Sequence, residues 1–251
     1  MTFLDDPTLT VLAQSLNDIE GLRKAQANRL RALTTTEPDK DGAVRGFSLP
    51  PDHPAVAAVA KSLTRLDDAE HEAVLALQRQ LRTHPLWPWV KAQHGLGAKT
   101  VARFLGLIGD PYQWVHLRTG EVHTRSVGQL FAYVGVAGPG YNSRRDTSNG
   151  RQWNRDARTR LWVCVEKIAT KPGSRYCDVY RAGRDRYEDK THTEPCAACG
   201  VKGKPAQPGD PWRPGHQHAG ALRLVMREVL RDLWTEARRL HQASGGMQVA
   251  A

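Results

Sequence analysis

Three groups of residues in this chain have the types and spacing to do chemistry. Cys196 and Cys199 stand with two residues between them and Gly200 behind them, the turn in which backbone amides can point at sulfur. His216 and His218 follow, with His192 in reserve upstream. Four nitrogen and sulfur ligands in a tetrahedron are what a structural zinc takes, so Cys196, Cys199, His216 and His218 are the candidate ligands. The second group is His94–Gly109, HGLGAKTVARFLGLIG. Gly95 and Gly97 can both take positive φ and carry no Cβ. A helix opening at Ala98 then presents its first amides and the positive end of its dipole, a ready phosphate site. Lys99, Thr100 and Arg103 add charge and a hydroxyl. The third group is a loop at 135–152, rich in glycine, serine, asparagine and arginine, from which no core can be built.

The elements that must position these groups are helices. Apolar residues recur at three and four from Leu9 to Leu33 and again from Val56 to Leu81, which predicts two long helices joined by a Pro/Gly/Asp-rich loop at 34–54. They form an antiparallel arm over 1–89, a candidate surface for a homodimer or for packing on the rest of the chain. Pro85 and Pro88 end it. A turn at Arg118–Glu121 joins short extended pieces, and Ser126 caps a helix that Gly135 ends. A helix over 153–170 buries Ala157, Leu161, Cys164, Val165 and Ile168, with Arg155 and Arg158 outside. Another, over 174–189, interleaves Tyr176, Tyr180 and Tyr187 with arginines, a pattern that suits nucleic-acid stacking or a half-buried tyrosine stripe. The chain then divides into a domain at 90–190, a Cys/His insert at 191–217, a closing helix at 218–243 and a disordered tail at 244–251. The fold class is mainly α: the helical arm, a helical domain built round the glycine hairpin, and a small zinc-knuckle-like insert.

Charge points to the partner. The chain carries a net charge of +10 over 251 residues. Residues 1–90 hold ten basic and twelve acidic side chains, and residues 91–251 hold twenty-six against fourteen. The whole basic excess starts at the hairpin, which favours polyanion binding by the second part: DNA, with RNA as the other polyanion that fits. No apolar run reaches the ~20 residues of a membrane span, and the N-terminus lacks a signal-peptide layout, so the expected location is the cytoplasm.

The glycine hairpin resembles the helix-hairpin-helix motif, which grips a nucleic-acid backbone without reading bases. Taken in order, HGLGAKTVARFLGLIGDP, SVGQLFAYVGVAG, the Gly/Ser/Arg loop, NRDARTRLWVCVEKIA and HAGALRLVMREVLRDLW resemble the C-terminal domain of bacterial insertion-sequence transposases that carry an N-terminal RuvC-like nuclease. The likeness covers about residues 90–170, and 215–240 more loosely. It implies a nucleoid-associated bacterial protein of DNA transposition or recombination. It also implies a loop serine as nucleophile, with Ser143 the best match by position and Ser148 the alternative. Arg144, Arg145 and Arg151 would steady the charge on phosphate, and Arg155 and Arg158 would extend the DNA contact. Two departures stand out. No acidic nuclease half precedes residue 90, so Mg²⁺ chemistry requires a partner nuclease. The Cys/His insert, with its zinc, is no part of the family's pattern. A non-catalytic nucleic-acid-binding module is the alternative reading. A more distant one is a base-excision lyase, whose hairpin GLGAKT resembles and whose lysine Lys99 would be; Glu121 and His123 stand where its aspartate phrase belongs, and the aspartate is missing.

Overall fold

The computed structural model describes residues 1–116, 118–138, 153–201 and 203–248. Eight helices and four short strands make up the described elements, so the chain is mainly helical as its periodicity predicts. Two compact units arise. One is Pro7–Arg82, and the other joins Met1–Asp6 to Thr83–Ala251.

The first unit consists of helices α1 (Pro7–Thr34) and α2 (Pro54–Thr83). Arg23 on α1 donates to the Glu70 carboxylate at 2.5 Å and lies 3.7 Å from Asp67, while the Gln26 amide meets Ser62 Oγ at 3.4 Å. Later residues on one helix pair with earlier ones on the other, so the two run antiparallel.

The second unit includes the first six residues because they are tied into it. Leu4 is fully buried, its carbonyl accepts from His84 Nε2 at 3.0 Å, and Asp5 Oδ1 accepts from the Asp110 amide at 3.2 Å. The short helix α3 (Trp87–Ala92) opens with Pro88 in its first turn, where a missing N–H costs nothing. Helix α4 (Ala98–Ile108) is the centre of the unit: Val101, Ala102, Phe104, Leu105 and Ile108 are all buried. It packs on α6 (Arg155–Ala169), which in turn packs on α8 (Pro214–Gln248), and α7 (Arg175–Arg186) lies along α8. The buried face of α6 is Ala157, Leu161, Cys164, Val165 and Ile168, the stripe expected from spacing alone.

Between α4 and α6 come an antiparallel strand pair, β1 (Gln113–Val115) and β2 (Val122–Thr124), and helix α5 (Val127–Val134). Asp110, fully buried, fastens the start of this region. Its Oδ1 accepts from the amides of Tyr112 and Gln113 at 2.8 and 3.1 Å, and its Oδ2 meets His241 Nε2 on α8 at 2.5 Å. Every bond a buried carboxylate needs is made. Helix α5 begins at a capping box, in which Ser126 and Gln129 each accept from the other's amide. It ends at Gly135, whose φ is 78°. A Cβ there would lie 2.5 Å from Trp153 Cγ, so this glycine both closes the helix and seats the tryptophan. Gly135→Ala should therefore lower stability by about 2–3 kcal/mol, strain and overlap together. Gly128→Ala on the same helix would put its Cβ 3.8 Å from the nearest atom and should be neutral or slightly stabilising. Denaturant midpoints of the two variants test the pair.

The closing helix is longer than its sequence suggests. It begins at Pro214, before the expected start at residue 218, and continues to Gln248 through the glycines assigned to a disordered tail. Proline at its first position explains the early start.

Candidate functional site

The Cys/His insert is built on a second strand pair, β3 (Cys196–Val201) and β4 (Lys204–Ala206), which run antiparallel. Gly200 lets them approach, since a Cβ there would lie 2.4 Å from the Lys204 carbonyl oxygen. The loop after β4 returns to residues 190–192. The His192 amide donates to the Asp210 carbonyl at 2.9 Å, the Gly209 amide donates to the His192 carbonyl at 2.8 Å, and Thr191 bridges to Pro211. His192 is thereby fixed facing Cys196, Cys199 and His216, which sits in the first turn of α8.

One ligand atom from each of His192, Cys196, Cys199 and His216 lies within 4.8 Å of all the others. His216 Nδ1 is 3.2 Å from Cys199 Sγ and 3.8 Å from Cys196 Sγ. A tetrahedral zinc with sulfur and nitrogen at their usual distances holds ligand atoms about 3.3–3.8 Å apart, so the group is close to the size of that ion. His192 is 5 % exposed, and its Nε2 is buried with no hydrogen-bond partner. A metal would satisfy that orphaned nitrogen. Partial burial, then Arg223, His192 and Lys190, depress the His216 pKa and favour the neutral ring that a metal binds. His216 lies flat on Trp212, centroids 3.9 Å apart and planes 7° apart, and Trp212 stacks in turn on Tyr187 at 5.2 Å. This stack fixes the ring's orientation, as an outer shell does in metal sites.

The expected ligand set needs one correction. His192 replaces His218. Because α8 starts at Pro214, residues 216 and 218 lie two apart on a helix, and side chains at that spacing do not share a face. His218 Nδ1 instead meets Tyr180 Oη at 2.7 Å. Position 192 could have been recognised as the stronger candidate only by placing Pro214 at the start of the helix. The other two cysteines are core residues. Cys164 and Cys177 are buried, and burial pushes the Cys164 thiol up to about 11, so it stays protonated.

The glycine hairpin has a different internal geometry from the one its composition suggests. Gly95 takes φ 95°, but Gly97 is extended at φ −77°, ψ 130° and serves as the residue before α4. The Gly97 carbonyl accepts from the Thr100 and Val101 amides, each at 3.1 Å, and from Thr100 Oγ1 at 2.8 Å. Gly95, Gly97, Ala98, Lys99 and Thr100 thus lie close together on one turn. Arg103 is not with them. It is 5 % exposed, because α4 is covered on nearly every side, and it cannot serve as a surface phosphate contact. Lys171 takes that place: a Cβ on Gly95 would lie 2.9 Å from its Cγ. Only the fold brings a lysine after the end of α6 against the hairpin.

Arg155 and Arg158 belong to the opposite end of α6. Thirteen residues separate Arg155 from Ile168, which touches the turn, a distance of about 20 Å at helical rise. The tyrosines of α7 face inward. Tyr176 is buried and donates to Asp232 Oδ2 at 2.5 Å, with Arg175 3.0 Å from the same carboxylate. Ser143, Ser148, Arg144, Arg145 and Arg151 lie outside the described residues. Glu121 and His123 are exposed on the β1–β2 pair, 3.7 Å apart.

No family model, curated protein or solved structure matches the chain. No helix among the described residues is long and apolar enough to cross a membrane. Four protein ligands around one ion would leave no open position for water or substrate, so the Cys/His group suits a structural rather than a catalytic metal.

Proposed function

We propose that this chain is a DNA-binding protein related to the C-terminal domain of the insertion-sequence transposases. It holds the phosphate backbone through the Gly95–Thr100 turn. The observation that carries this reading is the turn itself. Gly95 at positive φ packs against the Lys171 side chain from the end of α6, so that lysine joins Lys99, Thr100 and the start of an eleven-residue helix at one short turn. The basic excess after residue 90 supports the same reading, as do Arg155 and Arg158 about 20 Å away along α6. A structural zinc on His192, Cys196, Cys199 and His216 ties the insert to the first turn of α8. The metal-dependent nuclease of the family would come from a partner chain, with the loop serine Ser143 or Ser148 contributing from this one.

Titrating labelled duplex DNA of mixed sequence tests the reading. Log affinity should fall linearly with log salt at a slope of several times −0.9, with little dependence on sequence. A slope shallower than about −1 would overturn it. Supercoiled DNA incubated with the chain and Mg²⁺ should stay intact until a nuclease partner is added.

A further inference from the structure

The outer side of α6 forms a second site. Arg155, Arg158, Thr159, Trp162 and Val163 follow one another at helical spacing and, with Trp153, line a pocket of about 360 Å³. Its aromatic wall is preorganised. Trp153 is seated on Gly135, whose missing Cβ makes room for its ring. The Arg158 guanidinium lies over that ring, Cζ 5.5 Å from the centroid, so a base would meet the planar guanidinium layered on the indole. Trp162 is backed edge-on by His218, ring centroids 6.4 Å apart, and His218 is itself held by Tyr180.

Among the described residues the charge beside this wall is unbalanced. Arg223 and Arg227 are half-buried one turn apart on α8, where like charges destabilise each other. Burial, then Arg158, depress the Arg223 pKa further, and Arg227 contributes in the same direction. Among the described residues no carboxylate forms an ion pair with Arg158, Arg223 or Arg227. The Arg227 Nε–H donates to the Val136 carbonyl at 2.6 Å, which holds its guanidinium beside Gly138. Among the described residues, then, three arginines with no ion-paired carboxylate stand near two half-buried tryptophans, a setting that suits a ligand anionic at one end and flat at the other.

We infer that this pocket takes one unpaired nucleotide, its base stacked on the Trp153–Arg158–Trp162 wall and its phosphate on the arginines. The inference rests on the nucleic-acid reading and adds what the hairpin cannot supply. A backbone clamp accepts paired DNA, whereas a stacking wall accepts only a base freed from its pair. The chain would then favour ends, bubbles or flaps over closed duplex.

Fluorescence anisotropy with a labelled short oligothymidine and a labelled blunt duplex tests this in the full-length chain. Trp162→Ala should weaken oligothymidine binding by about tenfold and duplex binding by less than about twofold, and Trp162→Phe should recover most of the loss. A merely structural role for Trp162 would lower both affinities together, and that result overturns the inference, as does an unchanged oligothymidine affinity. Wild-type chain that binds duplex but not oligothymidine removes the stacking site alone. Failure to bind either probe removes the nucleic-acid reading with it.

Discussion

Purified protein should carry close to one equivalent of zinc, and His192→Ala should reduce it below about half an equivalent while His218→Ala leaves it in place. The contrast follows from where α8 begins. His216 in its first turn reaches both sulfurs, at 3.2 and 3.8 Å, while His218 points to Tyr180. Without its fourth ligand the ion loses a corner of the tetrahedron, and the insert loses what joins β3 to α8. The insert has little apolar core of its own, since its strands are six and three residues long and of their residues only Cys199 and Ala206 are buried. Backbone bonds to residues 190–192 and the Tyr187–Trp212–His216 stack hold its base. Removing the metal with a chelator should therefore lower the melting temperature by about 10 °C, the effect of a loss of about 3–5 kcal/mol in a domain of this size. Metal analysis and a thermal melt on the wild type and both variants give the answer. Zinc kept by His192→Ala and lost from His218→Ala would sink the assignment.

The second large effect belongs to the hairpin. The double variant Gly97→Ala, Lys99→Glu should reduce duplex affinity by about a hundredfold with an unchanged melting temperature. Gly97 has an ordinary backbone conformation, and a Cβ on it would meet only Thr100 Oγ1, at 3.4 Å, so the alanine is accepted by the fold. The same methyl stands at the mouth of the turn, where a phosphate would approach the backbone. Reversal of the Lys99 charge replaces attraction by repulsion at that point. Gly95→Ala is the opposite kind of change. It puts a side chain on a residue at φ 95° and a Cβ 2.9 Å from Lys171 Cγ, so it should damage folding and binding together. Anisotropy at low salt, with a melt as control, separates the two. Wild-type affinity in the double variant would remove the hairpin from the interface.

Much of the fold could be read from local pattern. The buried stripe of α6, the Ser126 cap and the Gly135 stop each depend on residues within a few positions of one another, whereas Pro88, expected to end the arm, opens the short helix α3. Their physics, helical periodicity and the satisfaction of terminal backbone groups, is the same in any context. The Cys196–Cys199 pair belongs here too, because the CxxC turn is local.

What the tertiary structure decided was every choice between residues distant in sequence. His192 or His218 as ligand depended on residues 190–192 closing on 209–212, and on the helix starting at Pro214. Arg103 looks like a surface cation until α4 is found enclosed by its neighbours. The tyrosines of α7, equally suited by spacing to solvent or to core, were settled by Asp232, His218 and Trp212 on the elements packed against them. Lys171 joined the hairpin, and Arg223 met Arg158, only through helix packing. A sequence sets which side chains lie on one face of a helix. Which face meets which, and so where charges and ligands converge, is determined by the packing of all the faces at once.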